Sequence, residues 1–333
     1  MKPAKRFKSA RSVSHLGKQT KKKSNNAQRQ TIKKVMTWAR KRCHDSIVGR
    51  IYLVILMLTH PVVLSYHLVD RRFDFGITWV TPRQFERQVA WLAEDGYRTL
   101  SLSACLQSEF QLPPKAVVLT FDDGFRALMK HVLPVLERYG FVATVFPVAG
   151  YVGEQNRWDY NLFWRRMWHL DWNELRELLA AGWEVGSHSM RHAYLPSLSR
   201  AELLHDLRQS KERLEQNLQI PIHHLSLPFG RGNLRVLECA LDAGYASVAT
   251  LGQEFDLADS SLSGISADRR LRLFSRRGIY LHDTLRSFRR RVQAPMNSQS
   301  ERLRQQAISV FSYGTVLLKA LRQSQHCEKS LEI

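Results

Sequence analysis

The sequence has little cysteine, and none of it is arranged to work in pairs. Cys43, Cys105, Cys239 and Cys327 stand far apart with no CxxC, which argues against a disulfide scaffold and against a thiolate zinc site. A long apolar run is also lacking. The best stretch, IYLVILML over 51–58, falls well short of the about 20 residues that span a bilayer. Its length suits a signal-peptide core and positive charge precedes it. No A-x-A-like cleavage site follows, however, and translation from Met36 or Met57 would account for the preceding arm as well. Compositional bias is absent too. With 44% hydrophobic, 24% charged and 10% aromatic residues, the chain is neither wholly disordered nor collagen-like nor a coiled coil, and it can bury a sizeable core.

Acidic residues are scarce in two places. Over 1–50, Asp45 alone faces 16 Lys/Arg, and over 269–304 Asp283 and Glu301 face 11 arginines. These two stretches account for more than the whole net charge of +20, so the body is neutral to slightly acidic and the basicity reads as two appendages. That is not the even basic face of a dedicated nucleic-acid-binding domain. The arm over 1–45, rich in Lys, Arg, Ser, Gln and Asn, is expected to be disordered or loosely helical. It suits a solvated tail first, an anionic membrane surface next, and nucleic acid last. Localisation stays open, with membrane-peripheral or cell-envelope placement ahead of the cytoplasm. No feature specifies an oligomeric state.

From residue 61 the pattern alternates short β-branched runs with amphipathic stretches. Strands are expected at Pro61–Tyr66, Ala116–Phe121, Ala143–Val148, Trp183–Gly186, His224–Leu227 and Ala246–Thr250. Helices are expected over Pro82–Asp95, Phe125–Tyr139, Trp172–Ala181, Ser199–Leu218 and Asn233–Ala243, with Glu202 at the capping-box position after Ser199. Such alternation implies an α/β fold with a parallel sheet, and periodicity alone leaves barrel and open sheet as alternatives. Glu301–Leu321 reads as an amphipathic helix packed on the domain or a partner.

Three polar clusters follow apolar strands, where a parallel α/β fold keeps its site. TFDDG (120–124) sets two carboxylates side by side, which is costly unless a cation or a proton separates their roles. HSMRH (188–192) holds histidines at i and i+4, which share one face if the segment turns helically. Either cluster alone is more often an ordinary helix cap or a pair of structural histidines. Together, Asp123, His188 and His192 make a two-His, one-carboxylate set of the hydrolytic zinc type. LPFG (227–230) turns at a strand end, where backbone N–H groups can meet an oxyanion.

In this order the three motifs resemble the polysaccharide deacetylase (NodB-homology, carbohydrate esterase family 4) domain. VLSYH (63–67), Gly96-Tyr97 and Ala143–Pro147 resemble the branch that deacetylates poly-β-1,6-N-acetylglucosamine. The resemblance covers about 61–292 and implies a distorted (β/α) TIM-like barrel. It further implies one divalent metal ion, usually zinc, on Asp123, His188 and His192, with Asp122 as the general base toward water. Phe229, after Pro228, would offer its backbone N–H to the oxyanion. The acid that protonates the leaving amine would be His67, as the first strand suggests, or His282, since Tyr280-Leu281-His282-Asp283 resembles the LxH strand motif of other members. Trp158 and Tyr160 could stack on sugar faces.

Two departures stand out. Many members carry an arginine two residues before the proline of the third motif, where this chain has Ser226; Arg231 is the nearest substitute in sequence. No Asp-Trp pair follows residue 230 either. The layout expected is a basic arm over 1–50, a short apolar segment over 51–60, the deacetylase-like domain over 61–293 and a helical extension over 294–333. The function expected is metal-dependent removal of N-acetyl groups from a polysaccharide or glycolipid containing N-acetylglucosamine. The alternatives are an acetylxylan-type O-acetyl esterase, and a non-catalytic carbohydrate-binding or membrane-tethered protein on the same fold.

Overall fold

The structure is a computed structural model that describes residues 61–71, 78–107, 112–156, 167–251, 271–294 and 304. The basic arm, the 51–60 segment, Trp158, Tyr160 and, apart from Arg304, the 294–333 extension beyond Ala294 lie outside the described residues. In chain order the strands are β1 (Val62–Tyr66), β2 (Leu68–Val69), β3 (Trp79–Val80), β4 (Arg98–Thr99), β5 (Ala116–Asp123), β6 (Thr144–Pro147), β7 (Glu184–Val185), β8 (His224–Ser226), β9 (Ser247–Leu251) and β10 (Arg272–Gly278). Seven of them run in the order β7-β6-β5-β1-β10-β9-β8, with β4 beside β5 and every neighbour parallel.

The path almost closes into a barrel. Just past β7, Ser187 bridges Leu225 of β8. Its N–H donates to the His224 carbonyl and its own carbonyl accepts from the Ser226 N–H, each at 2.8 Å. Gly186 permits that seam, because a Cβ there would lie 2.3 Å from the Phe146 ring and 2.8 Å from the His224 carbonyl oxygen. The choice between barrel and open sheet is thus made by a close approach across one glycine, which periodicity does not register.

Strand side chains alternate between two apolar environments. Val63, Val118, Phe146, Ala249 and Phe274 meet inside the barrel, joined by Leu102 and Cys105 of a short helix, α2 (Leu102–Gln107). Leu64, Tyr66, Val117, Leu119, Phe121, Val145 and Val185 face outward into the main core. Each such side chain contributes about 1.5–3 kcal/mol on burial, so a strand apolar on both faces is strongly held. The outer layer includes α1 (Pro82–Glu94), α5 (Trp172–Ala180), α6 (Arg200–Leu218) and α7 (Leu234–Asp242). The Ser199–Glu202 capping box at the start of α6 forms as the sequence predicts.

Two expectations change. The helix expected over Phe125–Tyr139 divides at Val132 into α3 (Ala127–His131) and α4 (Leu133–Arg138), because Pro134 has no N–H to continue the ladder and its ring crowds the preceding turn. The arginine-rich stretch after 269 is not an appendage. Its β10 lies between β1 and β9, with Arg276 and Arg277 fully buried, and Arg291 is buried in α8 (Leu285–Gln293). Correspondingly, β10 ends at Gly278 and residues 281–282 form a turn, so Tyr280–Asp283 is not the strand its likeness to LxH suggested.

Candidate active site

The site sits at the C-terminal ends of the strands, where β5 delivers both aspartates. A regular strand would send consecutive side chains to opposite faces. Here Asp123 takes a left-handed backbone, φ 66°, followed by Gly124 at φ 68°, which brings the second carboxylate to the same mouth as the first. A non-glycine residue held there stores about 1–3 kcal/mol of strain, so the surroundings must enforce it. One restraint is His169, whose Nδ1 lies 2.8 Å from the Asp123 carbonyl oxygen and donates to it.

The histidines converge without a helix. Residues 188–192 form a loop with Ser189 at φ 67° and His192 at φ 54°, which corrects the expectation of a helical i, i+4 face. The loop is wound by side-chain acceptors. Ser187 Oγ takes the Ser189 N–H and Ser189 Oγ takes the His192 N–H. Asp206, buried on α6, accepts from Met190 N at 2.9 Å and Arg191 Nε at 3.2 Å. The two imidazole centroids come to 4.9 Å.

Nε2 of His188 and Nε2 of His192 each lie 3.5 Å from Asp123 Oδ1, and one ligand atom from each residue falls within 4.8 Å of the others. That spacing fits a metal. Two donors each about 2.0–2.1 Å from a tetrahedral ion stand about 3.4 Å apart. His188 Nδ1 donates to the Ser226 carbonyl at 2.9 Å, which fixes the tautomer and leaves the Nε2 lone pair facing the cluster. Burial pushes the His188 imidazole down to about 4, so it is neutral, as a ligand must be.

Asp122 is buried beside this cluster and bound from several sides. Arg276 of β10 grips it as a fork, Nη1 to Oδ1 at 2.7 Å and Nη2 to Oδ2 at 2.9 Å. Ser226 Oγ adds 3.0 Å to Oδ1 and Ser65 Oγ 3.3 Å to Oδ2. Burial by itself would raise the Asp122 carboxyl. The Arg276 charge, assisted by His188 and His67, outweighs it and holds the group well below the usual carboxylate range. His67 Nε2 lies 3.8 Å from Asp122 Oδ2.

Phe229 follows Pro228 in the turn after β8, with φ 60° and its ring 4.9 Å from the His192 ring. The structure therefore gathers Asp122, Asp123, His188, His192, His67 and Phe229. It does not bring His282 to them. That ring stacks on Tyr280, its Nε2 accepts from Arg304 Nη2 at 3.0 Å, and it has no contact with Asp122. The guanidinium on Asp122 is Arg276, not Arg231. Sequence reasoning missed Arg276, although a signal existed: a charge inside the strand-like LRLFSRRG needs a buried partner.

Residues 110–248 match the family model described as polysaccharide deacetylase. Over that stretch the chain is similar to the polysaccharide deacetylase family. A Bacillus subtilis chain, YxkH, named for the same family, is 28% identical over 186 residues, covering 55% of this chain and 61% of that one. The poly-β-1,6-N-acetyl-D-glucosamine N-deacetylase of Staphylococcus aureus is 27% identical over 165 residues, covering 46% and 54%. The alignments thus span about half to three fifths of these relatives' own lengths. Among solved structures, the Streptococcus pyogenes deacetylase PplD superposes at a TM-score of 0.58 with 20% identity, over 71% of this chain and 100% of that one. This polysaccharide deacetylase fold is the barrel that the sequence resemblance implied. Among the described residues, no helix is long and apolar enough to cross a membrane.

Proposed function

We propose that this chain is a member of the polysaccharide deacetylase family, a metal-dependent hydrolase that removes acetyl groups from N-acetylglucosamine units of a polysaccharide or glycolipid. The observation that carries the reading is the convergence of Asp123, His188 and His192 within 4.8 Å beside the ionised Asp122. The Staphylococcus aureus relative, named for N-deacetylation of poly-β-1,6-N-acetylglucosamine, supports an amide over an ester as the substrate bond.

Asp123, His188 and His192 would hold the ion, and zinc is the ion this donor set suits. Bound there, it supplies Lewis acidity to a carbonyl oxygen and to water. Asp122, kept as a carboxylate by Arg276, takes a proton from the attacking water. Its Oδ2 is the oxygen nearer to His67. The Phe229 backbone N–H serves the developing oxyanion. When the carbon–nitrogen bond breaks, acetate forms and the amine takes a proton. His67 donates it, so acid and base stand side by side and the proton Asp122 gains has a short return path.

Beyond the domain, the basic arm would meet an anionic membrane surface and keep the enzyme at the cell envelope. The reading is tested by acetate release from N-acetylglucosamine oligomers and from acetylated xylan, after chelation and after zinc is restored. Zinc-dependent acetate from the oligomers is expected. Acetate from xylan alone would make the protein an O-acetyl esterase, and none from either substrate with metal bound would overturn both.

A further inference from the structure

Helix α6 carries a charge where its packing needs none. Its buried stripe consists of Leu203, Asp206, Leu207, Ser210, Leu214 and Leu218, and an apolar residue at 206 would avoid the cost of desolvating a carboxylate. The Asp206 side chain is 0% exposed, and a charge taken out of water must be paired. Its donors come from two consecutive residues, the Met190 N–H to Oδ1 at 2.9 Å and the Arg191 Nε–H to Oδ2 at 3.2 Å. Both residues lie between His188 and His192, at the crest of the loop that carries the two imidazoles.

That loop needs a hold. Ser189 and His192 have φ 67° and 54°, a region that non-glycine residues keep only where the surroundings enforce it. From one side, the turn after β6 supplies backbone donors. Ala149 N–H meets the Ser189 carbonyl at 3.1 Å and Gly150 N–H meets the Met190 carbonyl at 3.0 Å. The approach is close, since a Cβ on Gly150 would lie 2.5 Å from the Met190 carbonyl oxygen. From the other side, α6 supplies two side chains one turn apart. Ser210 works through a chain of donors: the Ser189 N–H to Ser187 Oγ, Ser187 Oγ to Ser210 Oγ at 3.0 Å, and Ser210 Oγ to the Leu207 carbonyl at 2.9 Å. Asp206 works directly. The Ser189 carbonyl and the Met190 N–H belong to one peptide unit, so Ala149 holds one edge of that unit and Asp206 holds the other. A peptide held at both edges cannot flip, and a flip there would let Ser189 leave its left-handed conformation.

We propose that Asp206 is a positioning residue of the metal centre. By holding the 189–190 peptide against the turn after β6, with Ser210 as a second hold, it keeps the loop wound and both imidazoles aimed at Asp123 before any ion arrives. The proposal rests on the reading of Asp123, His188 and His192 as the ion's ligands. Asp206 touches none of their ligand atoms and acts through the backbone between the two histidines.

The test measures zinc affinity by competition with a chelator, and the visible absorption of the cobalt-loaded protein, in full-length wild type, Asp206→Ala, Asp206→Asn and Ser210→Ala. Loss of a residue that orients metal ligands from outside costs about 10–100-fold in affinity, so Asp206→Ala should lose about that and shift the cobalt bands. Asp206→Asn keeps an oxygen for the Met190 N–H, and Arg191, 62% exposed, can turn to water. This variant should restore most of the affinity and the wild-type spectrum. Ser210→Ala leaves the Asp206 contact in place and should lose less, up to about 10-fold; it decides the matter if Asp206→Ala does not fold. Wild-type affinity and an unshifted spectrum in folded Asp206→Ala would overturn the proposal even if its unfolding midpoint falls, because a residue that only packs would give that result. The same values in Ser210→Ala would overturn it where Asp206→Ala is unfolded, and so would Asp206→Asn as weak as folded Asp206→Ala. Acetate release is read separately on the wild type. A zinc-loaded wild type that releases none sinks the deacetylase reading while the affinities still decide the role of Asp206, and a wild type that binds no zinc sinks both.

Discussion

Replacing Asp122 by Asn perturbs two properties that can be read separately. Asp122 and Arg276 form a buried ion pair whose side chains are 3% and 1% exposed. Asparagine keeps the shape of the carboxylate but not the charge, and its NH2 group turns donors toward the donors of Arg276. Breaking one side of a buried pair typically costs about 3–5 kcal/mol, because the other charge is left uncompensated. At about 2–4 °C per kcal/mol for a domain of this size, the midpoint of unfolding should fall by about 6–20 °C. Zinc content should stay near that of the wild type, since the cluster of Asp123, His188 and His192 is untouched. Turnover should fall by about 10²–10⁴-fold, the usual contribution of a general base.

Adding Arg276→Met to Asp122→Asn removes the orphaned charge. Replacing a whole buried pair by apolar groups is often close to neutral, so the double variant should regain much of the lost midpoint and remain inactive. The effect also has a pH signature. Because the folded Asp122 carboxyl is held below the value of the unfolded chain, its contribution is complete above about pH 4 and fades as the pH falls further. The gap between wild type and Asp122→Asn should therefore be widest at neutral pH and narrow in acid. Thermal unfolding by circular dichroism, zinc analysis and acetate release on the same preparations decide the matter. If Asp122→Asn unfolds with the wild type, or if the double variant recovers nothing, the ion pair does not have the energetic role assigned to it. If Asp122→Asn loses zinc while Asp123→Asn keeps it, the roles of the two aspartates are reversed.

His67→Ala should cost about 10²–10⁴-fold in turnover with zinc retained, while His282→Ala should stay within a few-fold of wild type; the reverse ranking in acetate-release assays would assign the acid to His282. Asp123→Ala, His188→Ala and His192→Ala should each lower bound zinc and activity in parallel, and a variant losing activity at full zinc occupancy would remove that residue from the ligand set. Gly230→Ala should destabilise the domain by about 1–3 kcal/mol in urea unfolding, because the glycine sits at φ 66° and an added Cβ would meet Leu251 Cβ at 2.2 Å; an unchanged midpoint would show that the turn after Phe229 shifts freely.

Much of the site was legible in the sequence because its residues lie in contiguous words placed at strand ends. TFDDG, HSMRH and LPFG each carry their polar groups within five residues, and the apolar run before Asp122 marks the buried strand. What the words could not convey is how the backbone aims those groups. Among the described residues, five non-glycine residues have positive φ, and four of them, Asp123, Ser189, His192 and Phe229, are in these motifs. The i, i+4 spacing of His188 and His192 suggested a helix, yet the ligands converge through a loop wound by serine hydroxyls and by Asp206 of another element. The spacing was informative about chemistry and misleading about conformation, because several backbone paths bring the fourth residue back to the first.

Arg276 escaped for a different reason. Its partners Thr120, Asp122, Ser226 and Thr250 come from three other strands, so no local pattern contains the pair. Counting arginines along the chain made the segment look like a solvated appendage, whereas the barrel turns part of it into an interior strand. The missing arginine at position 226 and the excess of arginine after 269 look like separate oddities in one dimension. In the barrel, β8 and β10 flank β9, and the two oddities meet on a single carboxylate. A departure from a family motif at a buried catalytic position is therefore better read as a search instruction than as evidence of lost function. A buried Asp122 needs a counter-charge to remain ionised, and here a strand that packs against the same barrel interior brings it.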